Sequence, residues 1–311
     1  MPCMRFVPTL NLSLPLVYQG KIRETYSLPN GNLLVVASDR LSTHNIVHKS
    51  TVSLKGEIIS ALTIFWIREI LDANQIQHHL IASGRNIYEY LPEKYSDNLN
   101  SLQYRAIVVK KLEMLPVEFI FRGYLAGSLY KEFYAKRRFN PYGIILPARL
   151  PRMKLFDEPL FTPTDKSETD DPLNTEEIES KYQKATEIAR RSYKLIRKFL
   201  NKIGIELVDG KFELGVDNHG SILLADEIAT PDSCRFCLLK DIEAGRGLAW
   251  LDKQIARNEA ERIWGNGEKV PLEFSNNITL KLLCTYLEVF KLITGSTLEE
   301  FDYDYLNPSL S

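Results

Sequence analysis

The stretch ELVDGKFELGVDNHGSILLADEIATPDSCRF, residues 206–236, limits what this chain can become more than any other part of it. Asp209, Lys211 and Glu213 stand at strand spacing; the chain then turns through a Gly and returns with Asp226, Glu227, Asp232 and Arg235. Two purely structural strands carry Thr, Val and Tyr on their polar face, so this density of charge needs a neutralising partner. With His219-Gly220 as the loop, facing residues have numbers that sum to 439, which sets Glu213 opposite Asp226 and Lys211 opposite Ile228. A one-residue slip would substitute Glu227. Two carboxylates about 4 Å apart repel by about 4 kcal/mol at an effective dielectric near 20. A divalent cation would turn that repulsion into binding. An oxygen-only site suits Mg²⁺, which takes one or two carboxylates and completes its shell with water and phosphate oxygens. The pattern therefore points to a nucleoside triphosphate. The alternative is that Lys211 and its basic neighbours satisfy the same acids as surface ion pairs.

Composition narrows the partner classes. A chain of 311 residues that is 44% hydrophobic can bury a substantial core as one large or two ordinary domains. A net charge of −1 and a pI near 6.6 supply no global basic field, so small-molecule ligands are expected rather than nucleic acid. The N-terminal segment holds Pro2, Pro8 and Pro15 and lacks the unbroken apolar run of a signal peptide, and no stretch has the length of a membrane span. The expectation is a cytoplasmic protein. Four cysteines are too few for a disulfide framework, and Cys234 and Cys237 form a CxxC with no second ligand pair, since Cys3 and Cys284 are isolated and His78 and His79 are adjacent.

Along the chain, KIRETYSLPNGNLLVVAS reads as a β-hairpin turning at Asn30-Gly31. Ile59, Leu62, Trp66 and Ile70 mark a helix from Gly56 to Ala73, and YRAIVVKKL is a further strand. Pro116 interrupts before the next strand, which suggests a sheet-rich lobe over 1–112 and a larger α/β lobe over 113–311. Six prolines from Pro141 to Pro172 indicate an irregular loop region. Thr175 to Ile203 reads as one long helix stopped by Gly204, followed by helices around Leu248–Trp264 and Asn276–Thr294. Gly20, Lys21 and Arg23 in QGKIRETY could cover phosphate oxygens. Arg122, Gly123, Gly127 and Ser128 in FRGYLAGS suit a phosphate on a second substrate, or else the glycines simply permit close packing. GxxxxGK[ST], GxGxxG, HRD and DFG are all absent, so no standard nucleotide fingerprint applies.

Taken together, GKIRETY, ASDRLS, KKLEMLPVEFIFRGYLAGS, LFTPTDKSE, DGKFELGVD, LADEIATPDSCRF and LDKQ, in this order, resemble the phosphoribosylaminoimidazole-succinocarboxamide synthase (SAICAR synthetase) family over nearly the whole chain. The resemblance implies an α+β, two-lobed fold related to ATP-grasp and kinase-like folds, with ATP in the cleft between the lobes. It also implies a carbon–nitrogen ligase of de novo purine biosynthesis. Such an enzyme joins L-aspartate to the carboxylate of carboxyaminoimidazole ribonucleotide, using ATP and Mg²⁺.

Carried over by motif, Gly20, Lys21 and Arg23 would contact ATP phosphates, and the backbone around Glu113 and Met114 would meet adenine. Glu213 and Asp226 would hold Mg²⁺. Arg122, Ser128, Asp232 and Arg235 would bind the ribonucleotide, with Lys211 and Asp209 as catalytic groups near its imidazole end. Asp39, Arg40, Ser42, Lys166 and Asp171 would form the amino-acid side. A carboxylate is a poor electrophile, so an acyl phosphate is the expected intermediate, and cations would do most of the work. The chain departs from the family pattern at Thr43-His44-Asn45, Asp170, Gly210 and Cys234. The first two departures fall on the amino-acid side. Other readings are a divergent ligase using another amine or azole carboxylate, or a non-catalytic nucleotide-binding paralogue.

Overall fold

The structure is a computed structural model that describes residues 12–95, 102–135, 140–147, 150–244 and 250–306. Its first strands are β1 (Leu16–Gln19), β2 (Arg23–Ser27), β3 (Leu33–Ala37), β4 (Arg40–Thr43), β5 (Ile46–Thr51), β6 (Leu80–Ser83) and β7 (Ala106–Val109). Five of them form an antiparallel sheet in the order β1-β2-β3-β7-β6, while β4 and β5 make a separate hairpin. The β2–β3 turn falls at Asn30-Gly31 as expected, with Gly31 at φ 83°, a value that costs a Gly little.

The second sheet is built around one long strand. It contains β8 (Glu113–Met114), β9 (Phe119–Tyr124), β10 (Leu155–Phe161), β11 (Ile205–Val216), β12 (Ile222–Ala225) and β13 (Cys234–Leu238). The early part of β11 pairs with β9 and β13, and its later part with β12 and β8. Beyond an irregularity in its pairing between Leu207 and Asp209, alternation along β11 sends Phe212 and Leu214 into the core and leaves Lys211 and Glu213 half-buried on the other face.

Helix α1 (Lys55–Phe65) runs on through a wider π-type turn at Trp66–Leu71, matching the expected helix in position. It is buried on every side rather than on one stripe, because it lies against β3, the short α2 (Leu102–Arg105) and a C-terminal helix. The Trp66 indole donates to the Ala229 carbonyl at 3.0 Å, tying α1 to the loop after β12. One apolar core runs from Leu41 through Phe119 and Phe212 to Phe301 and Leu306, so the two sheets share it.

Four sequence expectations need correction. The Pro141–Pro172 region contains β10; Pro159 is tolerated there because β10 pairs with β9 alone, leaving an edge that needs no ladder donor. After α3 (Gly127–Tyr130), the long helix is two, α4 (Thr175–Lys181) and α5 (Gln183–Lys202), broken at Tyr182, whose ring turns in against Phe119. The helix expected from Leu248 begins at Gln254, after α6 (Leu239–Glu243), because Asp252 takes the Gln254 N–H at 2.7 Å; residues 245–249 lie outside the described residues. This helix is α7 (Gln254–Trp264), followed by α8 (Asn276–Thr294), closed by Gly295 as expected, and α9 (Leu298–Leu306), for which the sequence reading had no counterpart.

The last correction is the register of β11 and β12. Glu213 faces Ala225, not Asp226, one residue from the expected pairing. The hairpin closes through Asp217–Ser221, where Asp217 collects the His219 and Ser221 N–H groups at 2.9 Å each. The CxxC cysteines lie buried on β13 with their thiols pushed up to about 12 by burial, which suits neither redox work nor metal binding. Cys3 lies outside the described residues. Among those residues no helix is long and apolar enough to cross a membrane.

Candidate active site

Between the two sheets opens a cavity of about 1050 Å³. Val17, Ile22, Val35 and Ala37 of the first sheet give it an apolar wall, and Leu112 and Met114 border it where the chain passes to the second sheet. Asp209, Lys211 and Glu213 of β11 form the opposite, charged wall. A flat apolar base beside clustered cations is what such a shape accommodates.

Gly20 and Lys21 sit in the tight turn between β1 and β2, closed by the Gly20 N–H to the Arg23 carbonyl at 2.8 Å. Arg40 fastens this turn: its guanidinium donates to the Gly20 and Lys21 carbonyls, both at 3.0 Å, and to Glu24 at 2.6 Å. Arg40 itself does not line the cavity, so its place is that of a positioning residue. Arg23 crosses to the second sheet and pairs with Asp226 at 2.5 Å and Glu227 at 3.4 Å.

On β11, Lys211 bridges Glu118 at 2.8 Å and Glu213 at 2.9 Å, and Lys166 reaches Glu213 at 2.7 Å. Burial alone would raise the Glu213 carboxyl, but Lys211 and Lys166 hold it well below the usual range. Burial raises Asp226 to about 6 against the pull of Arg23, with Glu213 and Glu227 adding to the rise. Asp226 comes into this group although the ladder does not face it to Glu213: it takes a left-handed φ of 62° directly after β12 ends, breaking the alternation. Glu213 and Asp226 together offer only oxygen donors. Among the described residues no three His, Cys, Asp or Glu side chains are grouped to hold a metal alone. The pair would suit a Mg²⁺ that completed its shell with phosphate oxygens and water.

The far end of the cavity is cationic. Asp209 accepts from Arg122 at 2.9 Å and Arg235 at 2.5 Å, and Arg122 also donates to Ser128 at 2.8 Å and Thr162 at 2.8 Å. Burial opposes ionisation of Asp209, but Arg235 and Arg122 keep its carboxyl below the usual range. Asp209 is therefore committed to aiming two arginines. Gly127 lets Arg235 approach, since a Cβ there would lie 2.5 Å from its Nη1. Asp232 is buried between Lys55 at 2.9 Å, Lys253 at 3.6 Å and the Tyr286 hydroxyl at 2.6 Å. It holds cations rather than presenting a free carboxylate to a ligand.

Lys253 and Arg257 line this end and were missed as site residues. LDKQ was legible as a motif, and the four-residue step from Lys253 to Arg257 puts both on one side of the start of α7. Burial lowers Lys253 to about 8, with Asp232 opposing the shift.

The amino-acid-side group is only partly brought together. Ser42 and Lys166 line the cavity, whereas Asp39 and Asp171 do not. Asp39 is wholly buried and accepts the Gly56 N–H at 2.9 Å and Arg105 at 3.3 Å, which anchors the start of α1. Asp171 gives its N–H to Asp165 at 2.9 Å, and its neighbour Asp170 faces the cavity in its stead. Glu113 pairs with Val216 in the sheet, leaving Leu112 and Met114 at the cavity edge.

Comparison with known proteins gives a consistent result. The SAICAR synthetase family profile matches residues 16–272. A phosphoribosylaminoimidazole-succinocarboxamide synthase from Pichia angusta is 33% identical over 295 residues, covering 91% of this chain and 96% of that one. A SAICAR synthase from Saccharomyces cerevisiae, solved in complex with SAICAR, superposes with a TM-score of 0.80 at 30% identity, covering 94% of this chain and 98% of that one. A SAICAR synthetase in complex with ADP gives a TM-score of 0.65 at 26% identity, covering 90% and 98%. With an α+β fold, a cleft between two sheets and matches across nearly its whole length, this chain belongs to the SAICAR synthetase family.

Proposed function

We propose that the cavity between the two sheets carries out the family's ligation, joining L-aspartate to the carboxylate of carboxyaminoimidazole ribonucleotide with cleavage of ATP to ADP and phosphate. The observation that carries this reading is the meeting, in one cavity, of an apolar slot, two carboxylates with oxygen donors only, and two separate groups of cations. The apolar slot takes adenine, with Leu112 and Met114 at its edge. Lys21, Lys166 and Lys211 cover the triphosphate, and Glu213 and Asp226 hold Mg²⁺, which supplies charge neutralisation on the phosphate oxygens. Arg122, Ser128, Arg235, Lys253 and Arg257 bind the ribonucleotide phosphate, with Asp209 and Asp232 aiming them.

In the first step the imidazole carboxylate attacks the γ-phosphorus and ADP leaves, giving an acyl phosphate. The amine then attacks the acyl carbon, forming the amide and expelling phosphate. Negative charge accumulates on phosphate oxygens in both steps, so fixed cations contribute more than any nucleophilic side chain. The division into lobes at 112/113 belongs to the same proposal; it is supported by the first sheet's strands ending at Val109 and the second's beginning at Glu113. So does a cytoplasmic location, which suits the free, buried Cys234 and Cys237 thiols.

The test is a steady-state assay of purified protein with the ribonucleotide, L-aspartate, ATP and Mg²⁺. ADP release that requires both cosubstrates is expected, and oxygen label placed in the imidazole carboxylate should appear in the released phosphate. Unlabelled phosphate would remove the acyl phosphate, and no product with any amine would remove the ligase.

A further inference from the structure

Among the described residues, the carboxylates lining the cavity are, with one exception, already matched to cations. Glu118 and Glu213 lie on Lys211, Asp209 on Arg122 and Arg235, Asp226 and Glu227 on Arg23, Asp232 on Lys55 and Lys253, and Glu261 on Lys131. Asp170 also lines the cavity, and among the described residues it has no cation within ion-pairing distance. The one hydrogen-bonding partner of its carboxylate there is neutral, the Asn45 amide at 3.0 Å to Oδ2. Asn45 is in turn fixed at both ends of its amide: its oxygen takes the Lys21 ammonium at 2.6 Å and its nitrogen also donates to the Glu168 carbonyl at 2.8 Å.

The backbone is arranged to present this carboxylate. Asp165 accepts the N–H groups of Ser167 and Asp171 at 3.1 and 2.9 Å, closing the loop over 165–171 with Asp170 near its end at a left-handed φ of 50°. Aspartate adopts this region more readily than most side chains, so the turn sets the direction of the Asp170 side chain at little cost. Asp170 is half-buried, and burial followed by the nearby Glu118 raises its carboxyl above the ordinary value, with Asn45, Lys21 and Lys211 opposing. A half-buried carboxylate with one oxygen uncommitted is a receptor for a cation that arrives with a substrate.

The reaction brings such a cation. At neutral pH the amino acid enters as an ammonium, and it must become a neutral amine before its nitrogen can attack. We propose that Asp170 receives the ammonium group of the amino-acid substrate and takes one of its protons before the carbon–nitrogen bond forms. The neutral nitrogen attacks the acyl carbon, the C–O bond to phosphorus breaks with its electron pair on the departing phosphate, and that phosphate takes the second nitrogen proton. Asp170 then returns its proton to solvent. This assignment rests on the ligase reading above, and moves the amino-acid side from Asp171 to Asp170.

The test compares two nucleophiles in the wild-type protein and in Asp170→Asn, with ribonucleotide, ATP and Mg²⁺ at saturation. L-aspartate needs a base; hydroxylamine, already neutral near neutral pH, does not, and it traps an acyl phosphate directly. The variant should lose about 10²-fold or more in aspartate coupling, the contribution of a positioned general base, while hydroxylamine coupling stays within about threefold of wild type. Losses that differ by less than about tenfold between the two nucleophiles overturn the proposal, as does an unchanged aspartate rate. Asp170→Ser is measured alongside, and decides the comparison if the asparagine variant melts below the wild type. Wild-type protein that couples neither nucleophile would remove the ligase reading itself, a result distinct from any outcome in the variants.

Discussion

Glu213 and Asp226 share one end of a cavity yet are stabilised in opposite ionisation states. Glu213 is held well below its usual value because Lys211 and Lys166 outweigh its burial. A depressed carboxyl stabilises the fold above its unfolded value, and that contribution is lost as pH falls through the folded one. Glu213→Gln should therefore melt lower than wild type at pH 7, with the gap narrowing in acid. Asp226 is raised from 3.8 to about 6, so its contribution is complete below about pH 4 and is lost as pH rises through about 6. Asp226→Asn should melt at or above wild type at pH 7, and that gain should vanish near pH 4. Both variants should lose about 10²-fold or more in turnover if the two acids hold one ion. Thermal melts from pH 4 to 8 beside steady-state rates check this; equal melting shifts of the same sign would refute the assignment of charge.

At the scale of elements, β11 does most of the placing. One strand carries Asp209 to the arginine end, Lys211 to the middle and Glu213 to the end proposed for Mg²⁺, because alternate residues face the same side. That was readable from a period of two. Its pairing was not, because Asp226 leaves the ladder in a left-handed conformation that no alternation pattern announces. The opening of α3 is equally particular. Gly127 stands at φ 57°, and an added methyl would meet the Arg235 guanidinium at 2.5 Å. Gly127→Ala should raise the ribonucleotide KM by about tenfold or more, the loss of one charge-assisted hydrogen bond, and leave the ATP KM within about twofold. Equal changes in both constants would place Arg235 elsewhere.

Over the whole molecule, the site depends on a core that both sheets share. Lys55 at the start of α1 is fully buried and meets Asp232 at 2.9 Å, a charge contact without the alignment of a hydrogen bond. The same carboxylate takes the Tyr286 hydroxyl from α8 and faces Lys253 beside α7. Burial would raise Asp232, but Lys253 and Lys55 hold it well below its usual value, so its contribution is present above about pH 4 and fades in stronger acid. Lys55→Met leaves that buried carboxylate short of a partner and should cost about 3–5 kcal/mol of stability, measured by denaturant unfolding at pH 7. The loss should shrink as pH is lowered below about 4. A variant as stable as wild type at pH 7 would show that Lys253 alone satisfies Asp232.

What the sequence determined by itself is the chemistry on offer and the elements with clear periods. The hairpin at Asn30-Gly31, the helix after Gly56, the helix ending at Gly295 and the charged face of β11 all follow from local spacing and from residues with strong backbone preferences. The two-lobed α+β fold was legible through the order of its motifs. Tertiary structure decided which charges meet. Asp39, read as a site residue, is consumed in anchoring α1, and Asp209 and Asp232 are consumed in aiming cations. Lys253 and Arg257 join the site from a helix far along the chain. Asp170 is singled out only because every other cavity carboxylate has found a cation among the described residues. The physical reason is common to all of these. Backbone preference acts over a few residues and can be read from them, whereas a buried charge must be paired, and its partner is chosen by packing between segments distant in sequence.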